Sequence, residues 1–297
     1  MTARNKVNWT VALAAIVALT AAIVTATSLV SAGGPSGPGR STPTPTPQVC
    51  DTPEPTAEEA VGRDEADCGD ETVCLPAPRK TVTIATAKLI IEYNSTDDDI
   101  GVHGAFDDHG WSELCVYDPT GKQVLAVKPQ AQLKDLTMAG IFFESREPPS
   151  AEFSFEDLKA RFPEGQYSVR GISFEGKGLT GSAAFTHDVP EPPTVTAPLE
   201  GAVVSTTDLV IEWEDVTGTV DGDPVTITGY EVIITKVDHD DPHGFSGPVY
   251  DVHVLADRNA LAVPAEFLEP GTEYELEVLA LEVSGNQTIT VSFFETE

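Results

Sequence analysis

Two acidic clusters with histidines among them hold the side chains best suited to chemistry. The first is the run NSTDDDIGVHGAFDDHGW, residues 94–111, which carries Asp97, Asp98, Asp99, Asp107 and Asp108 without one Lys or Arg. Carboxylates are hard oxygen donors, and several converging from loops hold calcium. The spacing is not that of an EF-hand loop, and no Glu stands at the twelfth position. Calcium at this run is therefore an expectation that competes with plain solvated acidic loops. His103 and His109 in the same run point to a transition metal instead, which requires both rings and a carboxylate to meet across a strand pair. The second cluster is Asp238, His239, Asp240, Asp241 and His243. Histidines four apart share one face of a helix, yet Pro242 and Gly244 oppose a helix there, and an exposed polar loop is the main reading.

Catalytic signatures are missing. The sequence contains no Gly-x-Ser-x-Gly elbow, phosphate-binding loop, His-Glu-x-x-His or dinucleotide fingerprint. Glu212 and Glu214 share a strand face and resemble a hydrolase carboxylate pair, but a chain with 48 acidic residues offers dozens of such pairs. No catalytic residue is assigned, and the expectation is a protein that is not an enzyme. The formal net charge of -31 also argues against nucleic acid as a partner, because backbone binding needs a basic surface.

The elements that would position these residues read as β-strands. KLIIEYN (88–94), WSELCVYD (111–118), QVLAVKP and LTMAGIFFES (136–145) have strand composition, with the turn Asp118-Pro119-Thr120-Gly121 between the second and third. SFEDLKARF (154–162) is the one helical stretch; Ser154 caps it and Asp157 completes a capping box. Two further strand-like runs follow around a glycine-rich turn. Short strands at close spacing, with no strand–helix–strand repeat, predict a β-sandwich over 81–188.

Residues 192–297 carry a family resemblance. The run VPEPPTVTAPLEGAVVSTTDLVIEWEDV is similar to the A and B strands of a fibronectin type III domain, with Trp213 at the B-strand core position. ITGYEVIITKV (227–237) resembles strand C, with Tyr230 in the aromatic position. Leu268, Pro270, Gly271 and Tyr274 match the family's Leu-x-Pro-Gly-x-x-Tyr turn, in which Leu268 plugs the core, Pro270 and Gly271 turn the chain, and Tyr274 is the tyrosine corner. The resemblance covers about 105 residues and implies an immunoglobulin-like sandwich of fibronectin type III kind. Two departures are a long B–C connection, TGTVDGDPV, and a long segment after strand C, DHDDPHGFSGPVYD. The F–G turn is Ser-Gly-Asn, so the Arg-Gly-Asp of integrin-binding members is absent. A weaker echo of the same turn, Phe-Pro-Glu-Gly-x-Tyr, ends at Tyr167 in the first region.

The amino-terminal part predicts export. Arg4 and Lys6 precede an uncharged run from Val11 to Gly34, which reads equally as a cleaved signal peptide or a single-pass anchor over 1–32. With the cations on the cytoplasmic side, either reading leaves the rest outside. Residues 33–80 contain no aromatic side chain and are rich in Pro, Gly and Thr, then acidic, which predicts a disordered linker. Outside the cell, Cys50, Cys68, Cys74 and Cys115 read as disulfide partners with three full pairings. Proximity along the chain favours Cys68 with Cys74 as a local clip and Cys50 with Cys115 tying the linker to the first domain. Asn94-Ser95-Thr96 and Asn286-Gln287-Thr288 fit the glycosylation pattern.

Residues 181–297 hold 23 acidic groups against Lys236 and Arg258 alone, while 81–180 hold 16 against 9. The charge excess thus falls on the fibronectin-like module, as on a solvated exterior surface in a salty medium. The whole reads as an all-β chain of two tandem β-sandwich domains, exported to the extracellular or periplasmic face, secreted or membrane-anchored. The expected role is non-catalytic: presenting the modules for adhesion or ligand binding to protein or polysaccharide at the cell surface, with membrane contact only through the N-terminal segment. The alternative is an accessory or spacer protein of a secreted polymer-degrading system. No cofactor is expected besides calcium.

Overall fold

A computed structural model describes residues 80–238 and 247–297. The expected signal or anchor, all but the last residue of the linker, Cys50, Cys68, Cys74, His239, Asp240, Asp241 and His243 lie outside the described residues. Among the described residues no helix is long and apolar enough to cross a membrane. These residues are almost wholly β-structure, arranged as tandem sandwiches.

The first sandwich is built from β1 (Thr81–Thr83), β2 (Thr86–Asn94), β3 (Asp99–Tyr117), β4 (Gln123–Val127), β5 (Met138–Glu144), β6 (Gly165–Ser173) and β7 (Gly178–Phe185). Its organiser is β3, 19 residues long. The first half of β3 pairs with β2 and β5, and its second half with β6 and β4. Register shifts between Asp107 and Trp111 and between Trp111 and Glu113 mark where the strand changes neighbours. Gly110 sits at that point with φ 155°, backbone that L side chains rarely adopt. Residues 99–110, read above as part of an acidic loop, are therefore strand. Ile100, Val102 and Phe106 supply the buried alternating face, and the Gly and His residues between them mask that period in the sequence. Gly104 is required by packing: a Cβ there would stand 2.3 Å from the Phe143 ring.

Two short helices join these strands. α1 (Ala131–Leu136) buries no residue and carries no strong sequence signal. α2 (Phe155–Arg161) begins with a capping box, in which the Ser154 hydroxyl accepts the Asp157 N–H and the Asp157 carboxylate accepts the Ser154 N–H. Leu158 anchors the helix to a core that includes Trp111, Leu114, Tyr167, Val169 and Phe185. Each such side chain contributes roughly 1.5–3 kcal/mol by leaving water. The Tyr167 hydroxyl donates to the Pro163 carbonyl at 3.1 Å, closing the turn that echoes a tyrosine corner.

The second sandwich contains β8 (Val195–Ala197), β9 (Ala202–Val204), β10 (Val210–Trp213), β11 (Ile227–Lys236), β12 (Val249–Leu255), β13 (Ala260–Ala262), β14 (Glu273–Glu282) and β15 (Gln287–Thr296). One sheet has the order β13-β10-β8, and the other runs β15-β14-β11-β12 with β9 added parallel to β15. The leading strand is thus split between the two sheets. Between them the Trp213 and Tyr230 rings pack at 5.4 Å, and the Tyr230 hydroxyl accepts the Val216 N–H at 2.8 Å. The Tyr274 hydroxyl accepts the Glu269 N–H at 2.8 Å; Leu268 is buried, and Gly271 after Pro270 takes φ 62°.

The sandwiches share one sheet. β15 pairs in parallel with β2, placing Gln287 beside Glu92 and Ile289 beside Asn94, so a single 12-stranded sheet runs through both. The long B–C connection completes the joint. The Val220 N–H donates to the Val189 carbonyl at 2.9 Å and the Glu191 N–H to the Gly218 carbonyl at 2.9 Å, and Lys159 reaches Asp221 at 2.8 Å.

Candidate functional site

Pairing registers determine which side chains share a face of the common sheet. Leu89, Ile91 and Val102 belong to the first core, and Val232, Ile234, Leu276 and Val278 to the second. The registers carry both sets to one side of the sheet. The opposite side receives Glu92, Asp99, His103 and Glu144 from the first sandwich, and Glu231, Asp251, His253 and Glu277 from the second. Ile233, Leu279 and Ile289 form a third apolar cluster on that same side. Among the described residues no Lys or Arg pairs with any of these carboxylates.

Two groups within this band place carboxylate and imidazole atoms within 4.8 Å of one another, close enough to hold a divalent metal ion: Glu92 with His103 and Glu147, and Glu231 with Asp251 and His253. In the first group His103 Nε2 lies 2.9 Å from Glu147 and Nδ1 lies 3.7 Å from Glu92. The Gln287 amide also donates to Glu92. Burial pushes the Glu92 carboxyl up to about 7, against the opposing pull of His103. Burial alone would lower the His103 pKa, but Glu92 and Glu147 on either side of the ring outweigh it and hold it raised. With both ring nitrogens turned to carboxylates, this group resembles an internally neutralised triad.

The second group follows from strand pairing alone. Glu231 on β11 stands directly opposite His253 on β12, and Asp251 is two residues before His253, so all three share one face. Glu231 is 3 % exposed. Its Oε1 forms an ion pair with His253 Nε2 at 3.3 Å that is too long and bent for a well-formed hydrogen bond. Asp251 Oδ1 is likewise buried without a partner. Burial, reinforced by the Glu231 charge, raises the Asp251 carboxyl to about 6, and the adjacent Glu231 carboxylate raises His253. Glu277, opposite Ile233 on the neighbouring strand, is raised well above the usual carboxylate value by burial and then by Glu275, Glu92, Glu231 and Asp251.

The acidic residues singled out in the sequence lie elsewhere. Asp97 and Asp98 belong to the turn from β2 into β3, where the Asn94 side chain accepts the Thr96 and Asp97 N–H groups. Asp99 begins β3, with its carboxyl raised to about 6 by burial and the neighbouring Glu147 and Asp97 charges. Asp107 and Asp108 lie eight or more residues further along that strand, about 26 Å away at the usual rise per residue. The structure does not bring the five together. His109 is exposed beside Asp108, remote from His103 on the same extended strand. Asp238, alone of the second cluster, is described, and it is exposed. Cys115 is disulfide-bonded and buried in β3. Asn286 is 1 % exposed with its amide donating to Thr186 and Asp188, so the folded chain offers no glycan acceptor there.

Sequence reading missed Glu92, Glu147, Glu231, Asp251 and His253, which are scattered along four segments. The one local signal was Asp251-Val252-His253, a two-residue spacing that puts both ligand types on one strand face.

No known protein family matches the chain, and no curated protein does. Among solved structures it is similar to the FN1-FN3 domains of chicken CNTN1, at 15 % identity and a TM-score of 0.33, over 74 % of this chain and 69 % of that one. It is also similar to the twitchin kinase region from C. elegans, at 16 % identity and a TM-score of 0.23, over 34 % of this chain and 15 % of that one. Likenesses this slight transfer neither fold nor role, and the architecture rests on the strand order above.

Proposed function

We propose that this chain is an exported, non-catalytic binding protein. Its two β-sandwich modules, 81–188 and 192–297, form one stiff unit that presents a surface to protein or polysaccharide outside the cell. The observation that carries this reading is the shared sheet at the β2–β15 seam, reinforced by the B–C connection. A module pair locked in register presents groups from both sandwiches at fixed spacing, which lowers the ordering cost of binding. The second module is assigned to the fibronectin type III kind on the two sheet orders, the Trp213–Tyr230 contact and the Tyr274 turn.

Export is supported by the cationic start and apolar run within 1–32, by the aromatic-free linker over 33–80, and by the disulfide at Cys115, which persists in an oxidising compartment. As for ions, an imidazole in each described cluster favours a borderline metal over calcium, which takes oxygen donors. Calcium remains the ion suited to the all-oxygen turn at Asp97, Asp98 and Asp99.

The test has two arms. Fractionation of the host with N-terminal sequencing should place the chain outside the cytoplasmic membrane, either cleaved after the apolar run or still carrying it. Purified chain should be retained by an extracellular polysaccharide or surface-protein preparation without releasing soluble products from it. A cytoplasmic location overturns export, and product release overturns the non-catalytic role.

A further inference from the structure

Glu231, Asp251 and His253 on the β11–β12 pair bring two buried carboxylate oxygens that lack hydrogen-bond partners together with an imidazole. We propose that these three residues are the protein ligands of a divalent transition-metal ion, with zinc as the natural probe. Two observations independent of their acidity point to a cation. Glu231 is buried to 3 % exposure, and its Oε1, aimed at His253 Nε2, makes no hydrogen bond. Asp251 Oδ1 is a second buried oxygen without a partner. Leaving such atoms unpaired is costly, and native folds satisfy them with a donor, a water or an ion. A positive ion between them satisfies both oxygens and the imidazole nitrogen at once.

The donor set decides the class of metal. Two carboxylates and one imidazole suit zinc and its neighbours in the first transition row, and three protein ligands leave a fourth position for water or an incoming group. His253 is half exposed, so the ion has a route from solvent at the β12 edge. Ligands on neighbouring strands are held at fixed spacing by the ladder, so the site is positioned before an ion arrives. The Glu92–His103–Glu147 group is the poorer candidate, because both nitrogens of its ring already face carboxylates and Gln287 donates to Glu92. Nearby Glu277 adds negative potential without touching the ion, and Lys236, the one cation on β11, is engaged by Glu269 at 2.6 Å.

The test uses the untagged full chain stripped with a chelator. Zinc is titrated against a chromophoric competitor, and cobalt substitution supplies a visible spectrum that reports a four-coordinate site. The expected result is a single tight equivalent of zinc. His253→Asn and Glu231→Gln should each weaken it by about a hundredfold or more, since even an outer partner of a ligand is worth about 10–100-fold. His103→Asn should leave the affinity unchanged. Near-UV circular dichroism of His253→Asn confirms folding, which its half-exposed side chain permits. Zinc retained in His253→Asn, zinc lost in His103→Asn, or no tight equivalent in the parent chain would each overturn the proposal.

Discussion

The Asn286 side-chain oxygen, in the last turn of the second sandwich, accepts the backbone N–H of Ile91 in the first sandwich at 2.8 Å. The same side chain donates to Thr186 and Asp188 in the connecting segment. One buried amide thus ties together a strand, a linker and a turn that are far apart in the chain.

Asn286→Ala should therefore destabilise the chain out of proportion to the volume removed. Leaving the Ile91 N–H and the linker carbonyls unpaired costs about 3 kcal/mol. Urea unfolding followed by fluorescence and near-UV circular dichroism should show one coincident transition for the parent. The variant should show a lower midpoint and separated transitions as the sandwiches uncouple. Unchanged midpoints would remove the seam from its assigned role.

Stability should fall as pH rises, the reverse of ordinary acid denaturation. Glu92 has a folded-state value of about 7, raised from 4.5. A group so raised binds its proton more tightly in the folded state, so its contribution is full below the unfolded value and is lost as pH rises through the folded one. For Glu92 that is on the order of 3 kcal/mol. Asp99, at about 6, acts in the same direction, as does the raised His103. Melting temperatures measured with chelator present should be higher near pH 5 than near pH 8; the opposite slope would contradict this account.

Glu277→Gln isolates one member of the band. The Glu277 carboxyl is buried among like charges and raised well above its usual value. An isosteric neutral side chain should stabilise the chain more at pH 8 than at pH 5, because a carboxyl whose value is raised in the folded state costs stability as it ionises. Equal effects at both pH values would mean packing, not charge, governs the position.

Tyr274→Phe removes the hydroxyl that accepts the Glu269 N–H. Tyr167→Phe removes the one that donates to the Pro163 carbonyl. Each should cost about 1–2 kcal/mol, measurable as a shift of the chemical-denaturation midpoint with unchanged slope. A cost near zero for Tyr167 would make the turn in the first sandwich an echo of sequence only.

Much of the fold was legible because its signals are local. The Ser154–Asp157 capping box lies within four residues, and KLIIEYN and ITGYEVIITKV are contiguous runs of strand-forming residues that became β2 and β11. The stretch 99–110 was not legible as strand, because Asp, Gly and His dilute the alternation of Ile100, Val102 and Phe106. Only pairing with β2 and β5 makes it one. The candidate metal ligands were harder still. Glu231 and Asp251 look like any other acids in a chain with 48 of them, and nothing local marks their burial.

By itself, the sequence determined the all-β class, the position of the turns, and an acidic chain without catalytic motifs. These follow from residue-by-residue preferences that act over a few positions. Tertiary structure alone decided that two sandwiches share a sheet and which of many carboxylates are buried together. It also separated Asp97, Asp98 and Asp99 from Asp107 and Asp108 by the length of an extended strand. Strand registers bring together residues up to 195 positions apart, as Ile91 and Asn286 are. Pairing of β11 with β12 places Glu231 opposite His253, and the packed sheet leaves the Glu231 carboxylate buried.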